Sequence, residues 1–356
     1  MGIGGTRAIA GVVVALVLAG CSSPASDGAR PAASSTTRAT STTAASTTTA
    51  ARAAPPVGGP STAVPAVDPV GEVVPGSLVT ADGRTRTYRT YVPTEVAQHP
   101  DRRVPLLVAL HGGLGTGAQF ERTSGFDGLA EANGFVVVYP DGFDAAPGDR
   151  QLRTWNAGAC CGPAVRLDVD DVGFVRDLIA ELEEQYPIAP GQVVAAGHSN
   201  GGMLALRLGC ELADEIAGVG VQSSPLEVAL CEPSRPVSLL QIHGAADDNV
   251  PIEGGVGTDA VSGVDFEPPI EAARTYAEAD GCPDPEELTV DGNADLAVTS
   301  WAPCDDDAAV AFVRVEGGTH AWMGPPRGGG GATGPPYEDL DSSLVLWSFL
   351  SQHLRA

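Results

Sequence analysis

From Val104 onward the chain repeats one pattern: a short, almost uninterrupted apolar run, then a stretch with helical spacing, then another apolar run. The apolar runs fall at 104–110, 135–139, 193–196, 216–221, 237–242 and 310–315, and the helical stretches at 126–132, 174–185, 203–212, 270–279 and 342–354. A strand that is apolar at every position has no face to give to water, so it must be covered on both sides. Such strands alternating with helices predict a mostly parallel sheet with helices on both faces. Ahead of them, residues 78–80 and 85–92 flank Ala81-Asp82-Gly83 and predict a hairpin at one antiparallel edge of that sheet.

The pattern is absent from the first seventy residues. Arg7 precedes an apolar run at 8–17 that is too short to span a membrane as a helix, and Leu18-Ala19-Gly20-Cys21 follows it. This ending resembles a bacterial lipobox, which implies removal of residues 1–20, diacylation of Cys21 and attachment to the outer face of the cell membrane. Residues 21–70 are rich in Ser, Thr, Ala and Pro and carry no apolar period, so they read as a flexible tether. Residues 71–356 are expected to form one domain. No other apolar run is long enough to cross a membrane, and a monomer is expected.

The charge balance narrows the function classes. Twenty basic residues against 45 acidic ones leave a net charge of −25. A chain this acidic is a poor match for nucleic acid. Every basic residue is arginine, which excludes Schiff-base lysines, phosphate-binding GK[ST] loops and Ser–Lys dyads. Besides Cys21 there are six cysteines, Cys160, Cys161, Cys210, Cys231, Cys282 and Cys304, an even number that reads as disulfides in an exported chain. No C-x-x-C or H-x-H spacing supports a metal. The expected pairing joins Cys282 to Cys304 and lets the neighbours Cys160 and Cys161 reach Cys210 and Cys231.

Gly197-His198-Ser199-Asn200-Gly201 stands directly between an apolar strand and a helical stretch. That is the setting of a nucleophile elbow, a tight turn that exposes Ser199 Oγ and turns the Asn200 amide toward an incoming oxyanion. A serine needs a base, and the base needs an acid to orient it. Three histidines follow Ser199. His243 comes early, at a strand end; His353 lies in the closing helix; His320 follows the last strand within Gly317-Gly318-Thr319-His320-Ala321-Trp322 and is the expected base. Asp247 and Asp248 both follow the 237–242 strand, and spacing does not separate them. A second oxyanion donor is expected near Gly113 and Leu114, in the loop after the 104–110 strand. Trp322 and His198 are candidates for the substrate pocket. Asp168, Asp170 and Asp171 read as helix caps for the stretch from Phe174.

Taken together, several segments resemble the α/β-hydrolase esterases grouped as polyhydroxybutyrate depolymerases and feruloyl esterases. They are Leu110-His111-Gly112-Gly113, Tyr139-Pro140-Asp141-Gly142, Trp155-Asn156 with Cys160-Cys161-Gly162, Asp170-Asp171-Val172-Gly173-Phe174, Gly197-His198-Ser199-Asn200-Gly201-Gly202-Met203, His243-Gly244 with Asp247, and Gly317-Gly318-Thr319-His320-Ala321-Trp322. The resemblance implies an α/β-hydrolase fold, a Ser199–His320–Asp247 triad, hydrolysis of a small or oligomeric ester through an acyl-enzyme, and no cofactor. It also selects Asp247 over Asp248. Two rivals share the fold: an acyltransferase acting on the cell envelope, and a catalytically silent surface-binding protein.

Overall fold

A computed structural model describes residues 63–144, 153–260, 262–290, 293–327 and 333–355. The expected leader, Cys21 and most of the expected tether lie outside the described residues. In chain order the elements are β1 (Glu72–Val79), β2 (Thr85–Val92), α1 (Thr94–Gln98), β3 (Val104–Leu110), α2 (Gly117–Ser124), α3 (Phe126–Asn133), β4 (Val136–Pro140), α4 (Gly162–Arg166), α5 (Asp171–Gln185), β5 (Ile188–His198), α6 (Asn200–Glu211), β6 (Ile216–Gln222), β7 (Ser238–Gly244), α7 (Ile270–Ala279), β8 (Glu286–Thr289), β9 (Leu296–Trp301), β10 (Val310–Val315) and α8 (Ser342–Leu350).

The ten strands form one sheet in the order β1-β2-β4-β3-β5-β6-β7-β10-β9-β8. From β4 to β10 every neighbour is parallel. These are the strands that carry the apolar runs, and their residues are divided between the two faces by the strand's period of two. Leu106, Val108 and Leu110 of β3 pack with α5, α6 and α7, while Leu107 and Ala109 pack with α2, α3 and α8. Burying each such leucine contributes roughly 1.5–3 kcal/mol, and a register slip would exchange the two sets.

The N-terminal hairpin β1–β2 forms one antiparallel edge, as expected. The other edge is antiparallel too: β9 pairs with β10 and β8 with β9. The sequence carries little sign of this second edge, because β8 is only four residues long and exposes Glu286 and Glu287. The closing helix ends at Leu350, so His353 stands beyond it, its ring 4.6 Å from that of Phe349. The packed part also begins before residue 71. The Asn133 side chain holds both main-chain groups of Val64, at 2.8 and 2.9 Å, and Val67 N donates to Gly128 O.

Cys282 pairs with Cys304, across the start of β8–β9, as expected. The rest of the expected pairing is corrected. Cys210, at the end of α6, pairs with Cys231, and Cys160 pairs with its neighbour Cys161. The loop after β6 carries Cys231 back to α6, where its Cα lies 4.9 Å from that of Cys210, within ordinary disulfide reach.

Candidate active site

The C-terminal ends of β3, β5, β6, β7 and β10 point to one rim of the sheet, and the loops leaving them build the site. The tightest is the step from β5 to α6. Ser199 occupies φ 53°, ψ −127°, a backbone conformation that costs on the order of 1–3 kcal/mol and persists only when its surroundings enforce it. Enforcement comes from close packing. A Cβ on Gly201 would collide with the carbonyl oxygens of Leu110 and His111, so only glycine lets α6 start this near to β3. Ser199 N donates to Gln222 O at 3.0 Å, which ties the turn to the end of β6.

The structure brings Ser199, His320 and Asp247 together, although 121 and 73 residues separate the interacting pairs. Ser199 Oγ lies 2.9 Å from His320 Nε2, and His320 Nδ1–H reaches Asp247 Oδ2 at 2.8 Å. Asp247 is buried and accepts two further bonds, from the amides of Asn249 and Val250. Burial disfavours its charge, but the bonds from His320 and its neighbours outweigh burial and hold the carboxyl below its ordinary value. Asp248 is turned to solvent. The loops bearing acid and base are joined by main-chain bonds, Ala245 N to Val315 O at 2.8 Å and Ala246 N to Gly318 O at 2.9 Å.

Gly113 and Asn200 stand side by side: a Cβ on Gly113 would lie 3.5 Å from Asn200 Cβ. Among the described residues neither amide donates to a protein acceptor. Leu114 is different. Its amide donates to Arg153 O at 2.7 Å, so the expectation of an oxyanion donor there is corrected. Leu114 instead has positive φ and offers an exposed side chain at the rim. The Asn200 side chain faces the other way and grips the Trp155 main chain, Nδ2 donating to Trp155 O at 3.0 Å and Oδ1 accepting from Trp155 N at 2.8 Å.

Three more histidines surround the triad, and all are held neutral by burial. His198 Nε2–H donates to the His320 carbonyl at 2.7 Å; burial and the neighbouring His320 lower its pKa to about 3. His111 Nδ1–H donates to Gly112 O and its Nε2 accepts from Gly142 N; burial lowers its pKa to about 4. His243, fully buried in β7, donates through Nε2 to Val250 O and so supports the turn that presents Asp247.

A cavity of about 540 Å³ opens over Ser199. Phe120, Trp322, Leu114 and Pro336 supply apolar wall, and Gln119 and Thr123 supply polar groups. Trp322 stands edge-on to Phe120 and His198, and its indole N–H donates to Ser343 Oγ at 3.0 Å. Both expected pocket residues, Trp322 and His198, line the cavity. Asp170 caps α5 as expected, accepting from Gly173 N at 2.8 Å. Asp171 instead is buried against Arg86, at 2.7 Å, and anchors Asn156 N. Among the described residues no group of three or more His, Cys, Asp or Glu side chains could hold a metal ion.

One buried polar side chain at this site was not singled out from the sequence. Gln222, at the end of β6, is fully buried and bonded to the loop that carries His320. No motif marks it; a polar residue closing the otherwise apolar run 216–221 was the available signal.

A twisted parallel sheet bearing a strand–serine–helix turn, with an acid and a histidine on later loops, defines the class of α/β-hydrolases. A solved acetyl xylan esterase from Aspergillus awamori has the same fold, with a TM-score of 0.50 at 15% identity over 69% of this chain and 94% of that one. Residues 80–284, more than half of the chain, match the family described as "Putative esterase", and the chain belongs to this family. It is 32% identical to "Putative esterase NocK" of Nocardia uniformis subsp. tsuyamanensis, over 69% of this chain and 73% of that protein. It is 30% identical to feruloyl esterase B of Piromyces equi, over 62% of this chain, but spans only 40% of that relative's length. A poly(3-hydroxybutyrate) depolymerase of Ralstonia pickettii is 28% identical over 40% of this chain and 30% of its own length.

Proposed function

We propose that the protein hydrolyses carboxylic esters by a two-step serine mechanism. Ser199 Oγ attacks the ester carbonyl as His320 Nε2 takes its proton. Asp247 fixes the imidazole tautomer and stabilises the imidazolium. The amides of Gly113 and Asn200 hold the oxyanion, a role in which one donor is commonly worth about 3 kcal/mol of barrier. His320 then passes its proton to the departing alcohol. A water attacks the acyl-enzyme as His320 takes its proton, and His320 then returns that proton to Ser199 Oγ as the acid leaves. No step calls on a cofactor.

The observation that carries this reading is the unbroken chain Asp247–His320–Ser199, with bonds of 2.8 and 2.9 Å, beneath a cavity with an aromatic wall. The cavity's size suits a small or oligomeric ester. The names of the relatives place hydroxybutyrate oligomers and feruloyl esters first among substrates to try. We further propose export, with attachment to the outer face of the cell membrane through a lipid on Cys21; the three disulfides accord with export.

The test is hydrolysis by the full chain of 3-hydroxybutyrate oligomers, methyl ferulate and short p-nitrophenyl esters, beside Ser199→Ala. The variant is expected to fold normally and to lose about 10⁴-fold or more in kcat. Undiminished hydrolysis by it would remove Ser199 from the mechanism. Acyl transfer to an added alcohol in preference to water would favour the acyltransferase reading. Absence of both activity and fluorophosphonate labelling in the wild type would favour the silent binding protein.

A further inference from the structure

The base of the triad sits on a loop, and a loop does not by itself hold an imidazole to within a few tenths of an ångström. Something must fix residues 319–323 against the elbow. His198 contributes one bond, to the carbonyl of His320. Ala321 N donates within the loop to Thr319 Oγ1 and Ser342 N donates to Met323 O, while two further main-chain groups, Ala321 O and Met323 N, converge on a single side chain.

Gln222 lies next to His198 in the sheet register, at the ends of β6 and β5. Its main-chain oxygen accepts from Ser199 N at 3.0 Å. Its side chain runs the other way. Nε2 donates to Ala321 O at 2.8 Å, and Oε1 accepts from Met323 N at 3.0 Å and from Ser342 Oγ at 2.7 Å. One fully buried residue therefore touches the nucleophile's own peptide, both sides of the Trp322 peptide segment just after the base, and the first residue of α8. Oε1 uses both of its lone pairs, and an amide is the group that can donate and accept at once here.

We infer that Gln222 is a positioning residue for the esterase reaction: it sets the distance between Ser199 Oγ and His320 Nε2 by clamping the base loop to the elbow. This inference rests on the Ser199–His320–Asp247 reading. Reacting groups must be held in near-attack geometry, and a displacement of about 1 Å can cost on the order of 100-fold in rate. The clamp does not border the substrate among the cavity-lining residues, so its loss should fall on kcat and leave KM in place.

Gln222→Met keeps the length and volume of the side chain and removes all three bonds. It is expected to lower kcat about 100-fold with KM within twofold, and to slow fluorophosphonate labelling of Ser199 in the same proportion, while circular dichroism stays native. A folded variant with wild-type kcat and labelling rate, or a loss confined to KM, overturns the inference. Gln222→Glu is the second arm and carries the test alone if Gln222→Met does not fold. Its carboxyl, held among Ala321 O, Met323 N and Ser342 Oγ, with His198 beside it in the register and the Arg327–Asp341 ion pair at the start of α8, can donate to Ala321 O only when protonated. Its activity relative to wild type at the same pH is therefore expected to fall between pH 5.5 and pH 8. A ratio that stays near one across that range overturns the inference. Ser199→Ala keeps the two failures apart: if that variant retains hydrolysis, the triad reading fails, whereas if it is inactive and the Gln222 variants are fully active, only the clamp fails.

Discussion

The nucleophile elbow and the base loop reach the same point in space by opposite means. The elbow is local: seven consecutive residues, 197–203, contain the strand end, the strained serine, the glycines and the start of the helix. Its geometry is enforced by backbone packed on backbone, within the turn where Gly197 meets Gly201 and outside it where Gly201 lies beneath Leu110 and His111. The base loop, 317–323, has no such internal lock. It is held by side chains from β5 and β6, by main-chain bonds to the acid loop, and by Trp322 packed edge-on against Phe120. A locally encoded site can be recognised in one chain segment; a site clamped from outside exists only once the rest has folded.

Perturbing the acid separates the two most strongly. Asp247→Asn leaves the elbow untouched but removes the charge that orients His320. It is expected to cost about 10³–10⁴-fold in kcat, measured on the best ester of the panel, with fluorophosphonate labelling slowed to match.

A single methyl group should be felt very differently in the two regions. Gly201→Ala puts a Cβ against two carbonyl oxygens and is expected to cost at least about 100-fold in activity together with a lower Tm. Gly317→Ala meets nothing closer than the Tyr337 ring, at 3.4 Å, and has ordinary backbone angles. It should retain activity within about twofold. Equal sensitivity of the two glycines would erase the contrast drawn between the regions.

Stability can also be changed without touching either region. Replacing Cys282 and Cys304 together by alanine opens a loop spanning 22 residues. The expected loss is roughly 3 kcal/mol in a denaturant titration, with kcat unchanged at a temperature where the variant is folded.

The smallest effect is a pH slope in stability. Burial raises Asp127, Asp280 and Glu227 each to about 7. In the unfolded chain these carboxyls ionise near 4, so between about pH 4 and pH 7 the folded state holds more protons and loses stability as pH rises. Asp247 has the opposite sign, its contribution being lost only on strong acidification. His111, His198 and His243, lowered by burial, act the other way once the unfolded imidazoles take up protons below about pH 6.5, so Tm is expected to rise as pH is lowered from 8 toward about 6.5. Asp127→Asn, which keeps an acceptor for the Tyr139 hydroxyl, should flatten that slope and exceed the wild type at pH 8. A variant with an unchanged slope would remove Asp127 as a source.

The same contrast explains what could be read in advance. Six parallel strands were visible as apolar runs because burial on both faces leaves a mark at every position. β8 was not, since the edge strand Glu286-Glu287-Leu288-Thr289 faces water and carries no apolar signature, and β9 (Leu296–Trp301) was not, because Thr299 and Ser300 break its apolar run. Asp247 and Asp248 could not be separated by spacing; burial of one and exposure of the other depend on where the turn after β7 meets β10. Leu114 was expected to donate to an oxyanion because it follows two glycines, but the Arg153 carbonyl, 39 positions away in sequence, takes its amide. The partners of Cys160 and Cys161 were misjudged because pairing depends on the loop after β6, which brings Cys231 to Cys210.

By itself the sequence determined the parallel core and the elbow around Ser199, and it pointed to His320 as the candidate base, because each depends on residues adjacent in the chain or on a period that burial imposes. Only the tertiary structure decided how close Asp247, His320 and Ser199 come, and that Gln222 joins the loop carrying His320 to the elbow. Those are contacts between segments about 70 to 120 residues apart, and no local propensity encodes the distance between two atoms that only the packed sheet brings together.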